Sequence, residues 1–317
     1  MPKFLFSRCR NQLIIWTTSL VLVMCPFGIS QAGTIVRIST SVGDYSIELL
    51  DEITPITVQN FLNYVNRDAF DGTYLHRVVD NFVVQGGGFR VLSTFEVVDV
   101  VADPPILNEF NVSNTRGTVA MAKLPDLPDS ATSQWFVSLA DNSANLDNQS
   151  GGFTVFGNVL GGGMAVLDAI DDLPFLSLGL KAISAPYFTE TYTNGLDLVA
   201  MSAEVVSRFS EASHVFEDVS GVLITSIDVD NGGQLASVNL SLVPSEPGIV
   251  FQVNPASVVR LAQSFDGIAT YSTADNRLRL PSLEVSIQGT ISMAFNVVFV
   301  LSDAVNLRFT LESFSMP

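Results

Sequence analysis

The chain is poor in cysteine, histidine and positive charge. Of its 317 residues, two are cysteine, two are histidine and 15 are lysine or arginine, against 32 aspartate or glutamate. The formal net charge of −17 excludes a phosphate-backbone partner, because nucleic-acid binding needs a concentrated basic face. An acidic surface of this kind favours solubility and repels anionic lipid head groups. Both cysteines, Cys9 and Cys25, fall near the N-terminus. The rest of the chain therefore has neither a disulfide framework nor a thiolate nucleophile, a composition that suits an oxidising compartment. His76 and His214 are too scattered to build a metal site, and no cofactor is expected.

What is present begins with a leader. Lys3, Arg8 and Arg10 precede an apolar run from Leu13 to Ile29, and Ser30-Gln31-Ala32 supplies small residues at the end of it. This is the pattern of a signal peptide over residues 1–32, cleaved before Gly33. The run is only marginally as long as the ~20 apolar residues that a spanning helix needs. Cys25 follows Leu-Val-Met and so lacks the small residue that a lipidation site wants before its cysteine. The expectation is an exported protein, periplasmic or extracellular, with no membrane attachment after cleavage.

Beyond the leader, Ile35-Val36-Arg37-Ile38 and Tyr45-Ser46-Ile47-Glu48-Leu49 alternate across Ser41-Val42-Gly43-Asp44, which predicts a β-hairpin. Thr54-Pro55 offers an N-cap and a proline at the first helical position, and Val58, Phe61, Leu62 and Val65 recur behind it at helical spacing. Met164, Leu167 and Ile170 fit a second helix, and Leu196 to Val206 restores the strand pattern, so the first domain is placed at 33–206. In 207–317, Val238, Leu240 and Leu242 alternate, as do Ile291, Met293, Phe295, Val297, Phe299 and Leu301, and then Leu307, Phe309 and Leu311. These are half-buried strands, and the economical reading is an all-β, sandwich-like C-terminal domain of unknown function.

Two features look like ligand motifs and are not. Asp228-Val229-Asp230-Asn231-Gly232-Gly233 has the start of a calcium loop but Asn239 at the closing position, so it is read as a hairpin turn. Gly161-Gly162-Gly163 lacks the residues that would complete a phosphate cradle and is read as a loop.

The chemistry is concentrated in three stretches: His76-Arg77-Val78-Val79-Asp80-Asn81-Phe82-Val83-Val84-Gln85-Gly86-Gly87-Gly88-Phe89, Asn114 to Lys123, and Asp129 to Val137, the last followed by Leu146-Asp147 and Phe153 to Gly157. Taken alone, they place one arginine and one glutamine among aromatic and aliphatic side chains, an apolar pocket with a single cationic donor. His76 is read as structural.

With these blocks in this order, residues 34 to 206 resemble the cyclophilins, particularly the short bacterial periplasmic form. The resemblance implies a closed eight-stranded antiparallel β-barrel capped by two helices. It implies peptidyl-prolyl cis/trans isomerase activity on proline-containing polypeptide clients, with Arg77 and Gln85 as catalytic residues. Phe82, Val83, Phe136 and Leu146 would seat the proline ring, Gln134 would line the neighbouring groove, and the backbone at Ala122 and Lys123 would pair with the extended peptide. Three positions depart from the family pattern: Leu75 and Asn145 stand where aromatics are usual, and Phe153 replaces a polar-tipped ring. Weak cyclosporin binding is therefore expected. Leu75 and Asn145 also keep open a proline-peptide binding or chaperone module with little turnover, targeted by the C-terminal domain.

Overall fold

Alternating apolar residues become paired strands wherever one face can be buried. Ile35–Thr40 and Asp44–Leu49 form the expected hairpin, with Val36 opposite Ile47 and Ile38 opposite Tyr45. The computed structural model describes residues 33–92, 96–179, 181–244 and 248–317. The expected signal peptide lies outside these residues. Among them no helix is long and apolar enough to cross a membrane.

The chain is mainly β, with three α-helices among the described residues: α1 (Pro55–Val65), α2 (Ser143–Leu146) and α3 (Gly163–Asp171). Pro55 opens α1 as the sequence implied, and Val58, Phe61, Tyr64 and Val65 turn inward. Leu167 and Ile170 do the same from α3.

The hairpin belongs to a curled sheet. Its order is Arg77–Val79, Val83–Gly86, Trp135–Ser138, Thr118–Met121, Val155–Val159, Asp44–Leu49, Ile35–Thr40, Ala200–Val206, Thr73–Tyr74, Phe89–Val91 and Val97–Asp99. Only Leu75 and His76 separate Thr73–Tyr74 from Arg77–Val79. The Leu75 N–H donates to Val199 O and the His76 N–H to Gln85 O, so one extended run leaves one ladder and enters another. Inside the curl, Val36, Ile38, Ile47, Leu75, Val84, Val119, Trp135 and Val137 pack with Phe61 of α1. Phe61 lies 4.9 Å from Phe156 and edge-on to Trp135 at 6.1 Å.

The C-terminal strands correct the sandwich expectation. Val222–Val229, Ala269–Ser272, Arg277–Ile287, Thr290–Asp303, Arg308–Ser315, Val250–Val253 and Gln234–Leu242 pair in that order, and Gln234–Leu242 returns to Val222–Val229. This is a closed seven-stranded barrel rather than two facing sheets. Alternation reveals which side of a strand is apolar but not whether the sheet closes on itself. The suspected calcium loop is the turn between Val222–Val229 and Gln234–Leu242, with Asp230 and Asn231 at φ 54° and 48°. His214 is buried between the Thr225 hydroxyl and the Gly267 carbonyl.

A second correction concerns Thr290–Asp303. The sequence puts Ile291, Met293, Phe295, Val297, Phe299 and Leu301 on one face. Instead the buried positions are Ala294, Val297 and Phe299, while Ile291 and Phe295 are 56% and 39% exposed. The parity changes at Asn296, whose φ is 51°. Its level on the neighbouring strand is that of Pro281, between the pairs Ser282–Phe295 and Leu280–Val297. Proline contributes no N–H to the ladder and a left-handed residue turns the strand, so both strands switch faces together.

Gly33–Pro317 is one compact unit. The barrel meets the curled sheet along Ile35–Thr40 and Ala200–Val206. Ile35 and Val206 pack with Val222 and Ile224, Ser207 N–H donates to Glu217 Oε2 at 2.6 Å, and Arg37 donates to Ala212 O.

Candidate active site

Period-two alternation decides which side chains reach the outer face of the curled sheet. Val78, Val84, Val119 and Val137 point into the core. Their neighbours Arg77, Gln85, Phe136 and Ala120 point the other way. Register lines these four up across four strands: Arg77 opposes Gln85, Gln85 opposes Phe136, and Phe136 opposes Ala120. One row of the sheet therefore holds a guanidinium, an amide, an aromatic ring and a methyl.

The polar half of the row is linked. Arg77 Nη1 donates to Gln85 Oε1 at 3.2 Å, and Gln85 Nε2 donates to Gln134 Oε1 at 2.9 Å. The amides hold the guanidinium from behind, and burial pulls the Arg77 pKa below its ordinary value. The arginine remains charged, since its unperturbed value is above about 12. Gln134 fits because Gly87 and Gly88 run beside it. A Cβ on Gly88 would stand 2.9 Å from Gln134 Nε2, and Gly87, at φ 78°, would place one 2.6 Å from Ser133 O.

The apolar half is a cup of about 260 Å³ lined by Phe82, Val83, Phe136, Leu146 and Phe153, with Arg77, Gln85, Ala122 and Lys123 at its edge. Val83, Phe136 and Leu146 are buried. The Phe153 ring meets Phe136 edge-on at 5.7 Å. Lys123 lies over Phe153, its Nζ 4.7 Å from the ring centroid, and donates to the carbonyls of Ser150 and Gly152 at 2.6 Å each. A wider groove of about 660 Å³ adjoins the cup through Gln85, Ala122 and Lys123 and continues along Gln134, Thr132, Leu127 and Pro105.

All nine residues singled out from the sequence thus line this cup or its groove. The Ala122 N–H, however, is already donated to Gln134 O at 2.9 Å, so that donor is not open to an extended peptide. Leu75 is fully buried in the core behind Arg77.

Sequence reasoning missed the groups that fix the far wall. Asn142, just before α2, donates through Nδ2 to Phe82 O at 2.8 Å. Asn114 is fully buried and donates through Nδ2 to Asp147 Oδ1 and Phe153 O. These amides tie the segment carrying Leu146 and Phe153 to the sheet. Gln149 also lines the cup and hydrogen-bonds Asn145. A polar side chain in a loop of many Asn, Asp and Ser residues carries no spacing signal that separates a clamp from a solvated group.

His76 is buried and packs edge-on against Phe89 at 4.8 Å. Burial lowers its pKa to about 4, with the nearby Arg77 charge acting in the same direction and a hydrogen bond with Gln134 opposing. It is a neutral packing residue at physiological pH.

Residues 35–180 match the family model of cyclophilin type peptidyl-prolyl cis-trans isomerases. A peptidyl-prolyl cis-trans isomerase of Acinetobacter baylyi is 41% identical over 152 residues, covering 47% of this chain and 78% of that protein. Peptidyl-prolyl cis-trans isomerase A of Dickeya dadantii is 40% identical over 151 residues, 46% of this chain and 76% of that protein. Among solved structures, a Cryptosporidium parvum cyclophilin type isomerase aligns over 56% of this chain and 99% of its own, at 20% identity and a TM-score of 0.41.

Proposed function

Since this chain belongs to the cyclophilin-type peptidyl-prolyl cis-trans isomerases and is thereby an isomerase, we propose that Arg77 is the group that lowers the barrier to X-Pro rotation. The barrier arises because the nitrogen lone pair is delocalised into the carbonyl. It amounts to ~18–20 kcal/mol, and uncatalysed exchange takes on the order of tens to hundreds of seconds.

Catalysis has to favour the twisted state over both planar ones. As the bond twists, the prolyl nitrogen becomes pyramidal and recovers a basic lone pair. A guanidinium N–H beside it then gains a hydrogen bond that neither planar ground state offers. The cup formed by Phe82, Val83, Phe136 and Leu146 grips the ring while the acyl side turns. Gln85 aims Arg77, Gln134 lines the groove, and Ala122 and Lys123 border the chain's exit. A barrier lowered by about 7 kcal/mol corresponds to about 10⁵-fold acceleration. The observation that carries this reading is the row Arg77–Gln85–Phe136–Ala120 beside an apolar cup of about 260 Å³.

The remaining parts of the reading follow from the sequence. Residues 1–32 are a signal peptide, so the clients are proline-containing polypeptides folding outside the cytoplasm. Residues 33–206 are the isomerase domain and 207–317 a β-rich C-terminal domain of unknown function packed against it. Taking Thr73–Val79 as one bent strand shared between two ladders, the first domain is a closed eight-stranded barrel, a view supported by the hydrogen bonds of Leu75 and His76. Asn145, in place of an aromatic at the cup's edge, makes cyclosporin a weak inhibitor; inhibition at nanomolar drug would contradict this.

The test is a protease-coupled proline-peptide assay on the full chain. Wild type is expected to exceed the thermal rate, and Arg77→Ala to lose about 10²–10³-fold in kcat/KM, the scale of one lost transition-state donor. Wild-type peptide binding without rate enhancement would favour the binding-module alternative instead.

A further inference from the structure

The C-terminal barrel is filled unevenly. Toward the Asp303–Arg308 turn, Leu278, Leu280, Val297 and Phe299 pack its interior. Past Asn296 and Pro281 the inward side of Thr290–Asp303 carries Ala294, Ser292 and Thr290, all small, while the bulky Ile291 and Phe295 face out. The face switch leaves an unfilled space of about 420 Å³, walled by Phe216, Phe251, Leu283, Val285, Val297 and Phe299. That volume is in the range of small-molecule sites, roughly 300–1,000 Å³, and closed barrels of few strands can hold one small ligand. At the open end Ile249, Ile287, Phe314 and Met316 are 47%, 55%, 53% and 55% exposed, an apolar rim.

We propose that this end of the barrel binds a single unbranched hydrocarbon chain, the acyl chain of a fatty acid or lipid, with the head group at the mouth. Among the described residues, the lining carries no charged side chain, and its only polar side chains are the hydroxyls of Thr290 and Ser292. Among the described residues, the lining offers an entering chain no polar partner beyond these two hydroxyls. A peptide segment entering the cavity would bury N–H and C=O groups without partners. A hydrocarbon chain has no such groups and replaces water against an apolar wall.

The probe is cis-parinaric acid, titrated into the full chain, with palmitate as competitor and phosphatidylcholine vesicles in a parallel flotation assay. Saturable one-to-one binding displaced by palmitate is expected. Flotation with vesicles would identify a bilayer lipid as the source, and its absence a free fatty acid. Filling the space with Ala294→Phe or Ser292→Leu should weaken binding by about tenfold or more through overpacking, with the prolyl-isomerase rate and circular dichroism unchanged. Phe314→Asp, at the exposed rim, tests the mouth without touching the core and should also weaken binding. No saturable binding by wild type, binding indifferent to all three substitutions, or displacement by an apolar peptide but not by palmitate would each overturn the proposal.

Discussion

In the proposed mechanism Arg77 does not act as an isolated charge. Gln85 Oε1 takes one of its N–H groups and is itself oriented through Gln134, so the guanidinium is aimed before substrate arrives. Gln85→Leu keeps the packing volume but removes that acceptor. It should lower kcat/KM by about tenfold in the proline-peptide assay, with the loss in kcat rather than KM, as expected for a group that strengthens a transition-state contact. His76 gives a separate prediction. With a folded value of about 4 against an ordinary 6.5, it stays neutral through the physiological range. The kcat/KM profile should therefore show no inflection near pH 6.5. Stability carries the opposite message: between pH 6.5 and 4 the unfolded chain takes up a proton that folded His76 refuses. This contribution to stability is complete above 6.5 and is lost as pH falls, with a slope of up to about 1.4 kcal/mol per pH unit. The difference in urea midpoint between wild type and His76→Phe, compared at pH 4.5 and 7, checks it.

At the scale of elements, the cup depends on α2 and the loop after it being held against the sheet. Asn114→Ala removes a fully buried amide that satisfies Asp147 and Phe153 O. It should cost about 1–3 kcal/mol of stability by thermal melting and raise KM more than it lowers kcat, because Leu146 and Phe153 lose their anchor. The sequence made the sheet half of the candidate site legible. Arg77, Phe82, Val83, Gln85, Gln134 and Phe136 sit on or beside strands whose alternation assigns their faces. The loop half was only partly readable, since Asn114 and Asn142 act through contacts to distant backbone. The C-terminal strands show the same limit. Ile291 to Leu301 alternate without a break in sequence, yet Asn296 turns the strand over, because a left-handed residue opposite a proline is a pairwise event that periodicity along one strand cannot reveal.

Across the whole molecule, the contact between curled sheet and barrel buries acidic groups. Glu204 accepts from Asn239 Nδ2 at 3.2 Å. Its pKa is raised to about 7, first by burial and then by the charges of Asp71 and Asp68. Burial likewise lifts Asp71 to about 6. Both folded values lie above the unfolded ones, so the folded protein holds these protons more tightly. The contribution is fully present below the unfolded carboxylate values and is lost as pH rises through about 6 and 7. Arg37 lies opposite Glu204 in register but is engaged by Asp44 at 2.6 Å. Glu204→Gln should thus stabilise the fold at pH 8 by on the order of 2–3 kcal/mol, read as a higher melting temperature, and leave the melting temperature unchanged near pH 4.5. Equal effects at both pH values would contradict the assignment.

Exchange NMR of a proline peptide at saturating enzyme, comparing wild type with Arg77→Lys, tests the proposed role of the guanidinium most directly. Lysine keeps the charge but loses the planar fork of donors. Cis/trans interconversion on the enzyme is expected to slow by about 10²-fold, while peptide affinity stays within about threefold because the cup is untouched. An unchanged interconversion rate, or an equal loss in affinity and rate, would contradict the claim that the guanidinium acts on the twisted bond.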